Sequence, residues 1–403
     1  METWKESLIH FFEKGIKQQH SDRLGVEVEH FIVTGGPDSR RAVAYSGEAG
    51  IRRILERLMA QYPDAVPLHD DDFFGFTVPE FAITLEPAAQ LEISIAPMSD
   101  IHQIGRVYSS FVDTLSPILR DYGHEIVYAG GQPYTRVSDL ELIPKRRYDL
   151  MNAHFKKTGT GGMQMMRGTA SLQVSIDYLS EEDFRRKIQA AYYYGPLFKL
   201  LCDNTVQFEG APVTGHLKRT DIWRRVDPAR CGILPDIFSD SYGFGTYADF
   251  IGSVQPIFLK YGDEVLPTGH QTVAEIFAGR QLDETEAAHV LSMVFPDVRL
   301  KQFIEIRFAD SVPQPRTLAY CALIKGLLYR EDGILCAQDR IRSRHLTADD
   351  IRRAEDALMA DGLTANLWGQ PVREYAKSIL ELAEKGLPAG ERPLLTPFYD
   401  IIQ

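Results

Sequence analysis

The stretch Leu24-Gly25-Val26-Glu27-Val28-Glu29-His30-Phe31 decides the fold. Its period of two predicts a β-strand, with Val26 and Val28 turned towards a core and Glu27 and Glu29 turned away from it. Neither acid has a Lys or Arg two positions away on its own face. Two like charges about 6–7 Å apart along a strand are tolerated at an open surface or around a cation. Alone, the stretch also fits the solvated face of an edge strand. It gains weight because the pattern recurs.

The second instance runs from Ile83 to Ile95: Leu91, Ile93 and Ile95 share one face, and Gln90, Glu92 and Ser94 the other. Glu86 precedes Pro87, which holds it extended and interrupts ladder pairing there. The third, Leu172 to Tyr178, has Gln173, Ser175 and Asp177 on its polar face; the fourth, Phe303 to Phe308, has Glu305 and Arg307. Strands of this kind predict an antiparallel sheet with one packed and one polar face. That polar face gathers Glu27, Glu29, Glu86, Glu92 and Glu305, with Gln173 and Arg307 beside them. Two bare carboxylates 4 Å apart repel by about 4 kcal/mol at an effective dielectric of 20. Five acids in one funnel therefore imply cations. Oxygen-only ligands suit Mg²⁺ or Mn²⁺, whereas zinc would recruit His or Cys. Such ions with a nearby Arg are the parts of phosphoryl-transfer machinery.

Outward from these strands, Gly35 to Ser39 is a turn and Arg41 to Tyr45 a return strand. Ile51 to Tyr62 has helical periodicity, and His69 to Asp72 is an acidic turn. Asp100 to Tyr122 is a long helix with Asp100 as N-cap and Gly123 just past its end. The basic run Pro144 to Asp149 leads into a helix and the loop Thr158 to Gly162, which lacks Walker spacing and reads as a connector. Ser180 caps a helix continuing to about Leu201. The loop-rich stretch Asn204 to Tyr247 carries Arg219, Trp223, Arg224, Arg225 and Arg230, donors and aromatics suited to lining a site. Beyond Pro313 the chain is helical, with Thr347 capping one of the helices. His30, His69 and His154 have no partner the sequence can name and read as core or surface residues.

With 403 residues, 44% of them hydrophobic, the chain can bury a large core. No linker divides it, so one domain is expected over residues 1–403, with a sheet-based core at 1–312 and a helical part at 313–403. A net charge of −12 argues against nucleic acid or an anionic membrane surface as partner. No run reaches the ~18 apolar residues of a membrane span. The opening Met1 to Lys17 is interrupted by charges, as in an amphipathic helix rather than a signal peptide. The scattered Cys202, Cys231, Cys321 and Cys336 fit neither a disulfide framework nor a zinc site, and a cytoplasmic location is expected.

The chain resembles the glutamate–cysteine ligases of the plant and proteobacterial type. The resemblance rests on an ordered set of motifs: G-V-E-V-E-H-F at 25–31, L-E-P-A-A-Q-L-E-I-S at 85–94, I-P-K-R-R-Y-D-L-M at 143–151 and L-Q-V-S-I-D at 172–177. It continues with D-I-W at 221–223, S-D-S-Y-G-F at 239–244, F-P-D-V-R-L-K at 295–301 and I-E-I-R-F-A-D at 304–310. It implies an α+β fold with a glutamine-synthetase-like antiparallel sheet, an acidic funnel face and packing α-helices. It also implies an ATP- and Mg²⁺-dependent joining of the γ-carboxylate of glutamate to the amine of cysteine through a γ-glutamyl phosphate, on the route to glutathione. By the same resemblance, Glu27, Glu29, Glu86, Glu92 and Glu305 ligate metal, and Arg307 and Glu305 act on the transferred phosphate. Gln173 and Arg307 hold the nucleotide, and Arg147, Arg219, Trp223 and Tyr242 bind the amino acids or shape the acceptor pocket.

The sequence departs from the plant enzymes in three places: Val28 stands where they have His, Arg167 stands one place earlier than theirs, and Ser175 stands for their Asn. A carboxylate–amine ligase with a different amine or acid would keep the metal strands and change the surrounding loops. A non-catalytic binding protein of the same fold would have shed the acids. The expected state is a monomer or a homodimer.

Overall fold

The computed structural model describes residues 3–36, 39–70, 72–261 and 264–403. Its centre is one sheet of ten strands: β1 (Leu24–Thr34), β2 (Arg41–Ala42), β3 (Val66–Asp70), β4 (Asp72–Thr77), β5 (Phe81–Leu85), β6 (Leu91–Met98), β7 (His124–Val127), β8 (Ser171–Ile176), β9 (Val298–Leu300) and β10 (Ile304–Asp310). The strands lie in the order β9-β10-β8-β1-β6-β5-β4-β3, every pair antiparallel, and β2 and β7 pair with the end of β1. The long β1 thus sits in the middle. Its first half pairs with β6 and β8, and its second half with β2 and β7.

The alternation holds. Val26, Val28, Ile93, Ile95, Val174, Ile176, Ile304 and Ile306 all enter the apolar core. Helices α1 (Trp4–Glu13), α2 (Ile51–Met59), α3 (Ile101–Asp121), α4 (Arg146–Thr158), α5 (Gly162–Gly168), α6 (Glu181–Leu201), α7 (Lys218–Arg224) and α8 (Phe244–Ser253) follow in chain order. Two short helices, α9 (Val273–Ile276) and α10 (Glu284–Leu291), precede the helical C-terminal part. That part holds α11 (Gln314–Leu328), α12 (Glu331–Arg344), α13 (Ala348–Asp361), α14 (Val372–Gly386) and α15 (Thr396–Ile402). α3 covers β6 and β7, α6 covers β10, and α11 packs on both helices. From Lys187 to Cys202 every residue of α6 and its C-cap is buried, as for a helix wrapped on all sides. One hydrophobic cluster runs from Leu8 to Ile402. Among the described residues no helix is long and apolar enough to cross a membrane.

The predicted caps form: Asp100 accepts from the His102 amide, Ser180 from Asp183, and Thr347 and Asp350 make a reciprocal capping box. Two expectations change. The return strand expected over Arg41–Tyr45 pairs only through Arg41 and Ala42, because the Ala44 and Tyr45 carbonyls turn to accept the first amides of α2. The acidic turn His69–Asp72 belongs to the β3–β4 hairpin, whose register shifts at Leu68–His69. Gly75 in that hairpin has φ +155°, and a Cβ there would lie 2.0 Å from the Ile83 carbonyl oxygen, so only glycine fits. Met1, Glu2, Pro37, Asp38 and Asp71, which enter the expected helix and turns, lie outside the described residues.

Candidate active site

The sheet register assembles the acids. Glu29 on β1 stands opposite Glu92 on β6, and Glu27 stands opposite Gln173 on β8. Glu86 enters from the turn between β5 and β6. There Ala89 adopts φ +64°, the Glu86 amide donates to the Gln90 carbonyl at 2.9 Å, and the Gln90 side chain accepts from the Ala88 amide. With Arg147 from α4, Arg219 and Trp223 from α7, and Arg299, Lys301, Glu305 and Arg307 from β9–β10, these residues line a cavity of about 280 Å³.

Three of the acids form a tight set. Glu29, Glu86 and Glu92 each offer an oxygen, and these oxygens all lie within 4.8 Å of one another. Neutral groups hold two of them: Ser171 donates to both oxygens of Glu29, through its amide and its hydroxyl, each at 2.8 Å. Thr84 and Ser94 donate to one oxygen of Glu92 at 2.8 and 3.1 Å. Burial, then repulsion from Glu29, pushes the Glu92 carboxyl up to about 7. Burial, with Glu29 and Glu92, lifts Glu86 well above its ordinary value. Glu29 is also raised by burial, against the pull of Arg219 and Ser171. Beside them, burial and then Glu92 and Glu305 raise Glu27 to about 8. Buried carboxylates this short of positive charge suit hard divalent cations, and an all-oxygen set matches Mg²⁺ or Mn²⁺.

Glu305 is different. The reading of bare acids fails there. It is wholly buried and ion-paired three ways: to Arg299 at 2.7 Å, Lys301 at 2.8 Å and Arg307 at 2.9 Å. Burial would raise its carboxyl, but Arg299, Lys301 and Arg307 more than offset this and hold it well below the ordinary range. It therefore lies outside the tight carboxylate set and serves as an anchor for cations, Arg307 among them. Arg307 in turn donates to the Gln173 side-chain oxygen, while the Gln173 amide nitrogen donates to Glu29 at 3.4 Å and to Ser171 at 3.2 Å. Gln173 thus bridges the two halves of the funnel.

The structure brings Arg147, Arg219 and Trp223 to the cavity wall. Arg219 is anchored by its terminal nitrogen to the Arg307 carbonyl at 3.2 Å. Among the described residues, the buried Nε atoms of Arg147 and Arg219 and Nε1 of Trp223 have no hydrogen-bond partner. Three unsatisfied donors beside a cavity fit an anionic ligand better than a closed core. Tyr242 does not reach the site. It is buried against Phe184 in the packing between α6 and α8, because its ring serves the aromatic core near Phe244 and Tyr247. Arg299 and Lys301 also line the cavity, beyond the site residues that the sequence points to. Their signal was the alternation Val298-Arg299-Leu300-Lys301, with Arg299 directly opposite Glu305 in register.

Residues 23–392 match the glutamate–cysteine ligase family 2. The chain belongs to that family. It is 31% identical to the chloroplastic glutamate–cysteine ligase of Brassica juncea over 396 residues, covering 95% of this chain and 74% of that protein. It is 29% identical to the chloroplastic enzyme of Arabidopsis thaliana over 394 residues, covering 95% and 73%. The solved structure of a glutamate–cysteine ligase from Francisella tularensis in complex with AMP is similar in fold, with TM-score 0.54, 12% identity, and coverage of 94% of this chain and 81% of that one.

Set against the plant members of glutamate–cysteine ligase family 2, none of the three departures lines the cavity. Val28 lies wholly buried on the core face of β1. Arg167 donates to the Leu140 carbonyl at 2.6 Å and does not line the cavity. Ser175 stands opposite Glu305 across β8 and β10, on the polar face.

Proposed function

We propose that this protein is a glutamate–cysteine ligase, joining the γ-carboxylate of glutamate to the amine of cysteine at the cost of ATP. The γ-carboxylate takes the terminal phosphoryl group of ATP, releasing ADP; the cysteine amine then attacks the acyl carbon, forms the amide and expels phosphate. The observation that carries this reading is the set Glu29, Glu86 and Glu92, oxygens within 4.8 Å, facing Arg307 and Arg219 across one cavity. These three acids, with Glu27 beside them, would hold Mg²⁺, which supplies charge neutralisation at the phosphates and the acyl oxygen.

The chain's own residues do the rest by position. Arg307, fixed by Glu305 and Gln173, presents its guanidinium to the phosphoryl group in transit. Arg147 and Arg219 have free buried Nε donors suited to the α-carboxylates of the two amino acids. Trp223, 6.0 Å from the Phe295 ring, offers an apolar wall that keeps water from the acyl phosphate. No protein nucleophile is needed, because the carboxylate substrate itself attacks ATP. The cytoplasm, where thiols stay reduced, is the location proposed for this chemistry.

The test is ADP and phosphate release with Mg²⁺-ATP and glutamate, adding cysteine, other amino acids and simple amines one at a time, with the product identified by mass. Turnover with cysteine giving γ-glutamylcysteine is the expected result. Turnover with another amine alone would keep the ligase chemistry and replace the acceptor. No turnover with any pair would overturn the reading.

A further inference from the structure

A second cavity, of about 300 Å³, adjoins the acidic one and shares Arg219, Trp223, Phe295 and Arg307 with it. Its lining includes Lys199 of α6, Arg224 of α7 and Glu355 of α13. Glu355 comes from the helical C-terminal part and is 1% exposed. One of its oxygens accepts from Lys199 at 2.5 Å and the other from Arg224 at 2.6 Å. Lys199 also reaches Asp297 at 2.7 Å, and the Asp297 carbonyl accepts the Arg307 amide at 3.0 Å. One buried carboxylate therefore ties α6, α7 and the approach to β9 together.

A buried ion pair is weak evidence for stability, since apolar side chains of similar volume often do as well. Its particular contribution is geometry. α7 needs that contribution: it has only seven residues, starts from Leu217 at φ +54°, and has no side-chain N-cap bond. Short uncapped helices are not held in place by their own hydrogen bonds. The tether at Arg224 sits one residue after Trp223 and five after Arg219, so it sets the aim of both. We propose that Glu355 is a positioning residue for the active cavity, fixing α7 through Arg224 and thereby directing Arg219 and Trp223 at the amino-acid substrates. The kinetic part of this proposal rests on the ligase reading above.

The test uses the full chain with Glu355→Gln and, separately, Arg224→Met, whose side chain is 27% exposed and leaves the fold less burdened. Both variants should raise KM for glutamate or cysteine by about tenfold and leave KM for ATP within about twofold, a split that a general loss of folded protein does not produce. Trp223 emission, read in a Trp4→Phe/Trp368→Phe background, should shift in both variants, because α7 moves. Arg224 also pairs with Asp356, so if Glu355→Gln does not fold, Arg224→Met is read against Asp356→Asn, and a shift in that variant as large as in Arg224→Met would overturn the role of Glu355. KM values for all substrates unchanged, or all raised equally, would overturn the positioning role, as would unchanged Trp223 emission. If the wild type turns over no glutamate, the ligase reading fails separately, and the Trp223 signal still tests the tether.

Discussion

The sheet solves the problem of buried carboxylates in two ways, a few residues apart. At Glu305 the chain supplies its own counter-charges, three cations on one acid. At Glu29 and Glu92 it supplies hydroxyls and an amide, and with Glu86 beside them it leaves the charge unbalanced. The same residue type on the same face therefore ends with its ionisation favoured in one place and opposed in the other. The first arrangement is complete within the chain and holds Arg307 at the cavity. The second is left short of positive charge, a deficit that suits it to a divalent cation.

The sharpest break of this comparison is a pair of charge-neutralising variants read for turnover and for stability. Glu92→Gln should cut ADP release by about 10³-fold, the scale of losing one well-placed electrostatic contact at a reacting centre. In the metal-free protein it should leave stability unchanged or higher, since it removes a repelled charge. Glu305→Gln should also cut turnover, because Arg307 loses its anchor, but it strands three cations, and urea unfolding should show a loss of about 3–5 kcal/mol. Equal stability effects in the two variants would show that the two arrangements are not distinct.

Titration sharpens the same contrast. Glu92 and Glu27 are raised from an ordinary 4.5 to about 7 and about 8. In the window between, the folded state binds more protons than the unfolded one, so metal-free stability should fall as pH rises from about 5 to about 8. Each group contributes at most about 1.4 kcal/mol per pH unit, and less for Glu27, which is only half-buried. Glu305, lowered, works in the opposite direction: its stabilisation is present above 4.5 and lost on acidification below that. Thermal melts from pH 5 to 8.5 after chelation should slope downwards, and added Mg²⁺ should flatten the slope. A flat profile without metal would mean the acids are already compensated.

This contrast was half legible in the sequence. Period-two alternation places Glu27, Glu29, Glu92, Gln173, Glu305 and Arg307 on the polar face, and the cores of β1, β6, β8 and β10 follow from the same signal. Alternation along one strand says nothing of the strand beside it, which is why Arg299 and Lys301 were missed as partners of Glu305. The same limit applies to Tyr242, an aromatic in a loop whose side is decided by helix packing far away in the chain. The link from Glu355 to α7 spans 131 residues in the Arg224–Glu355 ion pair, and no local pattern announces it. The β3–β4 hairpin escaped because Val66–Asp70 is mostly exposed and Asp72–Thr77 mostly buried, so neither alternates.

The smallest expected effect concerns the hydroxyls that stand in for cations at the carboxylate set. Thr84 donates to the Glu92 oxygen that also receives Ser94, and these bonds oppose the rise caused by burial. Thr84→Val keeps the shape of the side chain and deletes the donor. A hydrogen bond of this kind is worth about 1 kcal/mol net, so Mg²⁺ affinity at pH 7 should fall by about fivefold. The sign follows from protonation: without the Thr84 bond the Glu92 carboxyl rises further, a larger share is protonated near neutrality, and metal must displace that proton. The loss should therefore shrink as pH rises towards 9, where the carboxylate is ionised in both proteins. Calorimetric titration with Mg²⁺ at pH 6.5, 7.5 and 8.5 reads this directly. A loss independent of pH would mean that Thr84 acts by shape and not through the charge on Glu92.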